Sequence, residues 1–282
     1  MLRVFIQPSK FEILPIQYRQ NPYIDHSYTP ELQPILNQHR RLRNAFQYTP
    51  KHCAVLPKYT GHLPDVVFCA NGGLSLPGFS DPVILLPNMK YPQRKAELPY
   101  LQTIFSDLGI HMIGYPGVEP FEGQAELKWF HGGKKAICGY GYRSTKKTFQ
   151  ELDTFFHQLY GKDAPELLVL KIASPNFYHL DIAMLEYDDS KCIVHKDAFS
   201  PASIRKIQHF LGKENVTILE TNDLFCLNSV IDGPNLITHT LTDPTLQRKF
   251  EDITGLTVKQ VDTIEFEKSG GSVRCMTLDI HV

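Results

Sequence analysis

Apolar and polar residues along this chain repeat with two periods, which predicts a mixed fold of helices and strands. Five segments show the three- and four-residue spacing of a buried helix face or begin at a capping residue or an early proline. The predicted helices cover residues 29–46, 91–109, 144–161, 200–212 and 243–255. In the third, Phe149, Leu152, Phe155, Phe156 and Leu159 share one face. Four of the five helices end at glycines suited to a C-cap: Gly109, Gly161, Gly212 and Gly255.

Short apolar runs follow each helix, and a further set lies between them. Turn sequences such as "DDSK" and "DGPN" between these runs predict hairpins. The pattern indicates about five similar units spaced roughly 40 to 60 residues apart, a period typical of radial or stacked architectures. With no linker-like stretch, we expect one domain over residues 1–282, built from five ββαβ-like units. The alternative is an α/β sheet protein of unspecified topology, but no glycine-rich nucleotide motif supports it.

Composition and charge limit the class of ligand but do not distinguish between folds. The chain has 282 residues, 42% of them hydrophobic, and 29 basic residues against 30 acidic ones. This balance predicts neither nucleic-acid nor membrane binding and favours a small-molecule ligand. The apolar start of the chain turns polar after six residues, so we interpret it as a first strand rather than a signal peptide. Six scattered cysteines predict reduced thiols, a cytoplasmic location and no structural metal.

Three short segments place reactive side chains where strand residues would merely pack. In "FYHLD", His179 and Asp181 are two apart at the start of a predicted strand and would share a face. In "PFEGQAELKW", Glu122 and Glu126 flank a loop that can hold a cation, although metal spacing is absent. In "SGGSVRC", glycines precede Cys275 on the last strand. Taken singly, the three segments are better explained as a surface pair, a solvated turn and an inert buried thiol, respectively.

Taken together, the segments resemble the pentein superfamily of guanidine-modifying enzymes over nearly the whole chain. The matching motifs, in order, are "CANGGL", "FEGQAE", "GYGYRS", "FYHLD" and "GGSVRCMTL". They are most similar to those of bacterial arginine dihydrolases, followed by dimethylarginine dimethylaminohydrolases, arginine deiminases and amidinotransferases. The resemblance implies a five-bladed α/β propeller with pseudo-fivefold symmetry, and an active site in its central channel. The five units counted from the pattern agree with this fold.

The resemblance also implies catalytic roles. Cys275 would be the nucleophile, His179 the general acid and base, and Glu122 the third catalytic residue. A guanidinium carbon is a poor electrophile, so it needs a strong soft nucleophile and rigid positioning. The carboxylates of Glu122 and Asp181 can accept its N–H groups and orient the carbon toward the sulfur.

Four further residues would hold the amino-acid end of a substrate. Arg94 and Arg143 match family positions that bind a carboxylate, for which a planar bidentate cation is suited. Asn21 and the backbone near Ser269 would face the α-amino group. Without the motif context, both arginines would be interpreted as ordinary surface residues.

The chain departs from the deiminases at two places. Asn71 stands where deiminases carry an aspartate, and dihydrolase-like relatives have an asparagine there. A neutral amide offers both a donor and an acceptor and can hold a neutral urea, which would allow a second attack. The second departure is the segment Gln124, Ala125 and Glu126, where relatives often have a small residue, Gly and Asp.

We therefore expect a cofactor-free cysteine hydrolase of free L-arginine, giving ornithine, carbon dioxide and two ammonia. A deiminase or methylarginine hydrolase giving citrulline, or an amidinotransferase, is the alternative within the superfamily. A pentein-fold binding protein is the non-enzyme alternative, but the combined presence of Cys275, His179, Glu122 and Asp181 argues against it. The sequence predicts no metal, nucleic-acid or membrane partner and leaves a homo-oligomer open.

Overall fold

Fifteen strands and eight helices are defined in the computed structural model, which describes residues 1–57 and 61–282. The strands are β1 Leu2–Ile6, β2 Lys51–Ala54, β3 Leu74–Leu76, β4 Val83–Leu85, β5 His111–Ile113, β6 Leu127–Phe130, β7 Lys135–Tyr140, β8 Glu166–Lys171, β9 Met184–Glu186, β10 Cys192–His195, β11 Val216–Leu219, β12 Val230–Asp232, β13 Asn235–His239, β14 Thr257–Val261 and β15 Leu278–Ile280. The helices are α1 Leu32–Ala45, α2 Pro92–Lys95, α3 Leu98–Asp107, α4 Lys146–Tyr160, α5 Leu180–Ala183, α6 Pro201–Leu211, α7 Thr245–Thr254 and α8 Ile264–Glu267. Short 3₁₀ turns cover Ile16–Tyr18, Cys69–Gly72, Gly123–Ala125, Gly161–Asp163, Pro175–Phe177, Lys196–Ala198 and Lys213–Asn215.

The strands form five three-stranded sheets with one common plan. In each sheet the first strand pairs antiparallel with the middle strand, and the middle strand pairs parallel with the third. The parallel step requires a crossover, which a helix supplies. The sheet β15-β1-β2 closes the chain on itself, because β15 pairs with β1 with Leu278 opposite Val4. Five small sheets of this kind fit a pseudo-fivefold arrangement. We call β3, β6, β9, β12 and β15 the first strands below.

The five predicted helices are confirmed, with one interruption. The second is divided into α2 and α3, because the chain between Lys95 and Leu98 leaves the helix. Helix α4 begins with a capping box between Thr145 and Thr148 and buries the predicted aromatic face. Helix α7 ends at Gly255 in the left-handed conformation, with φ of 70°, as a glycine C-cap requires.

Three segments predicted as strands are short helical turns instead. They are Cys69–Gly72 before β3, Leu180–Ala183 before β9, and Ile264–Glu267 after β14. The first two segments are buried on every side, so their apolar residues show no period that separates a turn from a strand. In the third, only Phe266 is buried and Ile264 is exposed. The argument that His179 and Asp181 share a strand face is therefore wrong, since His179 caps α5 and Asp181 lies in its first turn.

Five apolar clusters pack the sheets against the helices and against one another. In one of them, Phe149 and Phe156 of α4 are buried against Leu74 and Leu127 of two neighbouring sheets. Burial of each such phenylalanine contributes about 1.5–3 kcal/mol. Within the described parts of the chain, no helix is long and apolar enough to cross a membrane.

Candidate active site

Cys275 lies in a turn three residues before β15 rather than on the strand itself. Its position is fixed by Asn228, which is fully buried. Asn228 Nδ2 lies 3.2 Å from Cys275 Sγ, and Asn228 Oδ1 accepts hydrogen bonds from the backbone N–H groups of Arg274 at 3.0 Å and Cys275 at 3.2 Å. Sequence reasoning had not singled out Asn228. The amide therefore holds both the sulfur and the backbone that carries it.

A carboxylate lies on another side of the sulfur. Asp181 Oδ2 is 3.6 Å from Cys275 Sγ, while Asp181 Oδ1 has no hydrogen-bond partner in the described structure. Burial raises the pKa of Asp181. Burial, and then the Asp181 charge, raise the pKa of the Cys275 thiol well above its ordinary value. In the free protein the thiol is therefore protonated at neutral pH.

Glu122 is the centre of a second group of contacts. Its Oε2 lies 2.9 Å from His179 Nε2 and 2.8 Å from Arg143 Nη1, and it accepts a hydrogen bond from Asn71 Nδ2 at 2.9 Å. Burial alone would raise the pKa of Glu122, but Arg143 and His179 outweigh it and hold that pKa well below its usual range. Burial, followed by the Arg143 charge, lowers the pKa of His179. The site therefore pairs an ionised carboxylate with a neutral imidazole.

Glu126 belongs to the same buried network. It is 1% exposed, and its Oε2 accepts the backbone N–H of Glu122 at 2.8 Å. Interpreting this loop as a solvated turn is therefore wrong. Burial and the Glu122 charge raise the pKa of Glu126. Its neighbour Gln124 donates to the Thr277 carbonyl at 2.6 Å, which ties this loop to the turn that carries Cys275.

A narrow, nearly closed pocket of about 10 Å³ brings most of the predicted residues together. It is lined by Gln20, Asn21, Asp65, Phe68, Asn71, Arg94, Arg143, Tyr178, His179, Ser269 and Cys275. Glu122 and Asp181 are not among its lining residues, but Glu122 contacts His179 and Asp181 contacts Cys275, both of which line it. Both predicted arginines reach the pocket, but each already has a carboxylate partner. Arg94 Nε lies 2.7 Å from Glu97 Oε1, and Arg143 Nη1 lies 2.8 Å from Glu122 Oε2.

The glycines before Cys275 allow a close approach between loops. Asn21 Nδ2 donates to the Ser269 carbonyl at 3.0 Å. Gly270 has φ of 95°, and a Cβ there would stand 2.4 Å from the Asn21 side chain. A Cβ on Gly271 would stand 2.1 Å from the Phe68 ring. Both positions therefore need glycine, as the bend predicted from sequence requires.

Asp65 is a second site residue that sequence reasoning missed. It is 7% exposed and accepts hydrogen bonds from Gln20 Nε2 at 2.7 Å and from Ser269 Oγ at 3.4 Å. Burial raises its pKa, against the charges of Arg94 and Arg143. The signal was an acid directly before an apolar run, "PDVVF", which leads into the motif "CANGGL". Its position beside Asn21 and Ser269 suits an ammonium group.

No group of three or more metal-ligating side chains occurs in the part of the chain that the structure describes.

No family model matches the chain. Among curated proteins, it is 28% identical over 270 residues to the bifunctional arginine dihydrolase/ornithine cyclodeaminase ArgZ of Synechocystis sp., covering 94% of this chain and 36% of that protein. It is 26% identical over 269 residues to the N(G),N(G)-dimethylarginine dimethylaminohydrolase of Mycobacterium tuberculosis, covering 94% and 82%. The chain thus spans about a third of the length of ArgZ.

Solved structures show the same likeness. The N-terminal domain of ArgZ bound to product superposes with a TM-score of 0.83 at 24% identity, covering 98% of this chain and 96% of that one. A dimethylarginine dimethylaminohydrolase adduct with S-methyl-L-thiocitrulline superposes with a TM-score of 0.73 at 16% identity, covering 98% of both chains. At these identities the superpositions establish a shared mixed α/β fold. The chain is therefore a homologue of arginine dihydrolases and dimethylarginine dimethylaminohydrolase, as its resemblance to the pentein superfamily predicted.

Proposed function

We propose that this chain is a cysteine-dependent hydrolase of free L-arginine, giving ornithine, carbon dioxide and two ammonia. The observation that carries the proposal is the fully buried carboxylate of Asp181, whose Oδ2 lies 3.6 Å from Cys275 Sγ and whose Oδ1 has no hydrogen-bond partner in the described structure. A buried carboxylate oxygen without a donor costs free energy, and a guanidinium N–H supplies the missing donor. The same contact would place the guanidinium carbon next to the sulfur.

The first half of the reaction follows from the charges. An arriving cation offsets the negative field of Asp181 and so lowers the pKa of Cys275, whose proton passes to neutral His179. The sulfur attacks the guanidinium carbon, and His179 returns the proton to the departing ammonia. A covalent thiouronium remains. A variant of the ArgZ N-terminal domain has been solved covalently bound to a reaction intermediate, which supports this route by homology.

In the second half, His179 takes a proton from water, which attacks the thiouronium carbon and releases the Cys275 sulfur. The product at this stage is a neutral ureido group. Asn71 can hold it, because an amide supplies both a donor and an acceptor. Cys275 then attacks the ureido carbon, and His179 protonates the departing second ammonia. A second water releases the sulfur and leaves a carbamate on the ornithine nitrogen, which loses carbon dioxide, so that arginine and two waters give ornithine, carbon dioxide and two ammonia.

We assign the amino-acid end of the substrate to Arg94, Arg143, Asn21 and the Ser269 backbone, with Asp65 added by its position. The two arginines would exchange part of their contacts with Glu97 and Glu122 for the substrate carboxylate.

We also propose that residues 1–282 form one pentein-type domain, a five-bladed propeller centred on the first strands. The common plan of the five sheets supports it. The free thiols suit a reducing compartment, the cytoplasm.

The test is to incubate the purified protein with L-arginine and to quantify ammonia, citrulline and ornithine. Two ammonia per ornithine, without accumulating citrulline, is expected. Cys275→Ser should abolish turnover, while Cys53→Ser, at a half-buried thiol outside the pocket, should leave it unchanged. Accumulating citrulline contradicts the dihydrolase and supports a deiminase. Turnover by Cys275→Ser contradicts the mechanism.

A second candidate is the hydrolysis of N-methylated arginine. The chain covers 82% of the Mycobacterium tuberculosis dimethylaminohydrolase but only 36% of ArgZ. Assaying dimethylarginine beside arginine decides between them by the ratio of kcat/KM. Turnover of neither compound refutes both proposals.

A further inference from the structure

A second cavity, of about 420 Å³, shares no lining residue with the pocket around Cys275. All five first strands contribute to its wall. Their lining residues are Leu74 and Ser75 of β3, Leu127, Lys128 and Trp129 of β6, Glu186 of β9, Val230 and Ile231 of β12, and Asp279 of β15. Arg274 lines this cavity and Cys275 lines the other. The two cavities are thus separated by the backbone of adjacent residues.

Three buried cations face this second cavity. Arg3 and Lys128 are each 2% exposed, and Arg274 is 7% exposed. They share two carboxylates. Asp279 pairs with Arg3 at 2.6 Å and with Arg274 at 2.5 Å, and Glu186 pairs with Lys128 at 3.0 Å and with Arg274 at 3.4 Å. Asp232, which is fully buried, forms a third ion pair with Arg3, so three carboxylates balance the three cations.

Two guanidinium nitrogens at this wall nevertheless lack a hydrogen-bond acceptor. Arg3 Nη1 and Arg274 Nε are buried and have no hydrogen-bond acceptor among the described residues. Asp232 Oδ1 lies 3.6 Å from Arg3 Nη1, beyond hydrogen-bond distance. The Asp232 oxygens instead accept the backbone N–H groups of residues 47, 48 and 49. Unpaired buried donors are costly, so an added acceptor with negative charge is favoured here.

Two further acids line the cavity near its opening to solvent. Asp188 and Asp189 are exposed, and their carboxylates accept backbone N–H groups of Ser190 and Gly132. Solvent screens exposed charges far more than buried ones. They would repel an anion weakly at the surface, whereas the buried cations would attract it inside.

The rest of the wall is apolar, formed by Leu74, Leu127, Trp129, Val230 and Ile231. A cavity of this size, with apolar walls and a few charged groups, has the character of a small-molecule site. We propose that it binds a small organic carboxylate. The carboxylate meets Arg3, Lys128 and Arg274, and the apolar body lies against β6 and β12. Because this site is separate from the Cys275 pocket, its ligand is distinct from the amino acid hydrolysed there.

The experiment uses Trp129, the only tryptophan of the chain, which lines this cavity. Its fluorescence is followed while the protein is titrated with benzoate, with benzyl alcohol and with inorganic phosphate. Benzoate should give a saturable change with a dissociation constant at or below the millimolar range, as expected for a fragment of about nine heavy atoms. Benzyl alcohol has the same ring without the charge, and phosphate has the charge without the ring. Both should bind at least tenfold more weakly.

Two pairs of variants test the location. Ile231→Glu adds a carboxylate to the wall and should weaken benzoate binding at least tenfold, whereas Ile231→Gln adds the same length without charge and should change it less than threefold. Lys128→Met should weaken binding several-fold, while Lys206→Met, on the exposed face of α6, should not. Circular dichroism verifies the folding of each variant, and the lysine pair decides the question if Ile231→Glu does not fold.

Three outcomes overturn the proposal. The first is the absence of a saturable change up to about 10 mM benzoate, a concentration well above the expected range. The second is equal binding of benzyl alcohol or tighter binding of phosphate. The third is equal benzoate binding by Lys128→Met and Lys206→Met. None of these readouts depends on arginine turnover, so they are independent of the proposed activity.

Discussion

The replacement Asn228→Asp isolates the contact between an amide and the sulfur of Cys275. The aspartate keeps the Oδ1 acceptor for the backbone N–H groups of Arg274 and Cys275. It removes the Nδ2 donor that lies 3.2 Å from the sulfur and places a second carboxylate there beside Asp181. The change therefore raises the pKa of Cys275 further while the turn around it is retained.

The size of the effect follows from the lost hydrogen bond. A hydrogen bond to a charged group such as a thiolate is worth about 1.5–3 kcal/mol. At about 1.4 kcal/mol per tenfold change in rate, kcat should fall about 10- to 150-fold. The added like charge acts in the same direction, so this range is a lower bound.

The assay measures kcat and the rate of alkylation by iodoacetamide between pH 6 and pH 10. Because the thiolate is the reacting form, the alkylation profile should shift to higher pH in Asn228→Asp. A Cys275→Ser protein gives the background from the other thiols. The companion change Asn228→Ala leaves two buried N–H groups unpaired, and should lower the free energy of unfolding by about 2–6 kcal/mol. An unchanged kcat and alkylation profile in Asn228→Asp would refute the role given to the amide.

Three further predictions concern buried charges. Asn71→Asp should lower the ratio of ornithine to citrulline at least tenfold, because a carboxylate 2.9 Å from Glu122 favours the cation over the neutral urea; an unchanged ratio contradicts the role of the amide. Glu126→Gln should keep kcat within about threefold, since the raised pKa makes Glu126 neutral, whereas Glu122→Gln should lose activity; equal losses contradict this distinction. Asp223 and Glu267, 2.8 and 3.1 Å from His239, outweigh its burial and raise its pKa from 6.5 to about 9. The native state then holds the proton more tightly, so the free energy of unfolding should fall by about 3 kcal/mol between pH 6.5 and pH 9. Denaturant titrations at the two pH values should show a smaller fall in the free energy of unfolding for His239→Gln. An equal fall in both proteins would contradict the assignment to His239.

The sequence predicted the helices and the repeat better than the segments that hold the chemistry. Helix α4 has a capping box, an aromatic face and a terminal glycine, all of them local signals. The turn Cys69–Gly72 has only the turn signal "NGG" at its end, and its conformation also depends on contacts with distant segments, such as the hydrogen bond from the Ala70 N–H to the Cys275 carbonyl. Local pattern reasoning extended the following strand through it.

The missed Asn228 left a signal of a different kind. The tetrapeptide "FCAN" ends at Asn71, and "FCLN" ends at Asn228. Each precedes the first strand of a sheet by a few residues. Aligning the five units against one another would have marked Asn228 as the equivalent of a predicted site residue. The family motifs do not include the "FCLN" segment, so comparison with them alone did not identify Asn228.

The pKa shifts explain why a site built for attack leaves its nucleophile protonated in the free protein. Burial and the Asp181 charge both disfavour the Cys275 thiolate, while His179 is kept neutral and Glu122 ionised. A thiolate formed without substrate would be open to oxidation and alkylation. In the first attack a cation bound against Asp181 reverses this balance, so ionisation of the sulfur is coupled to the arrival of the guanidinium group. The neutral ureido group of the second attack brings no such charge, so that step depends on the hydrogen bonds that Asn71 offers rather than on activation of the thiol by the substrate.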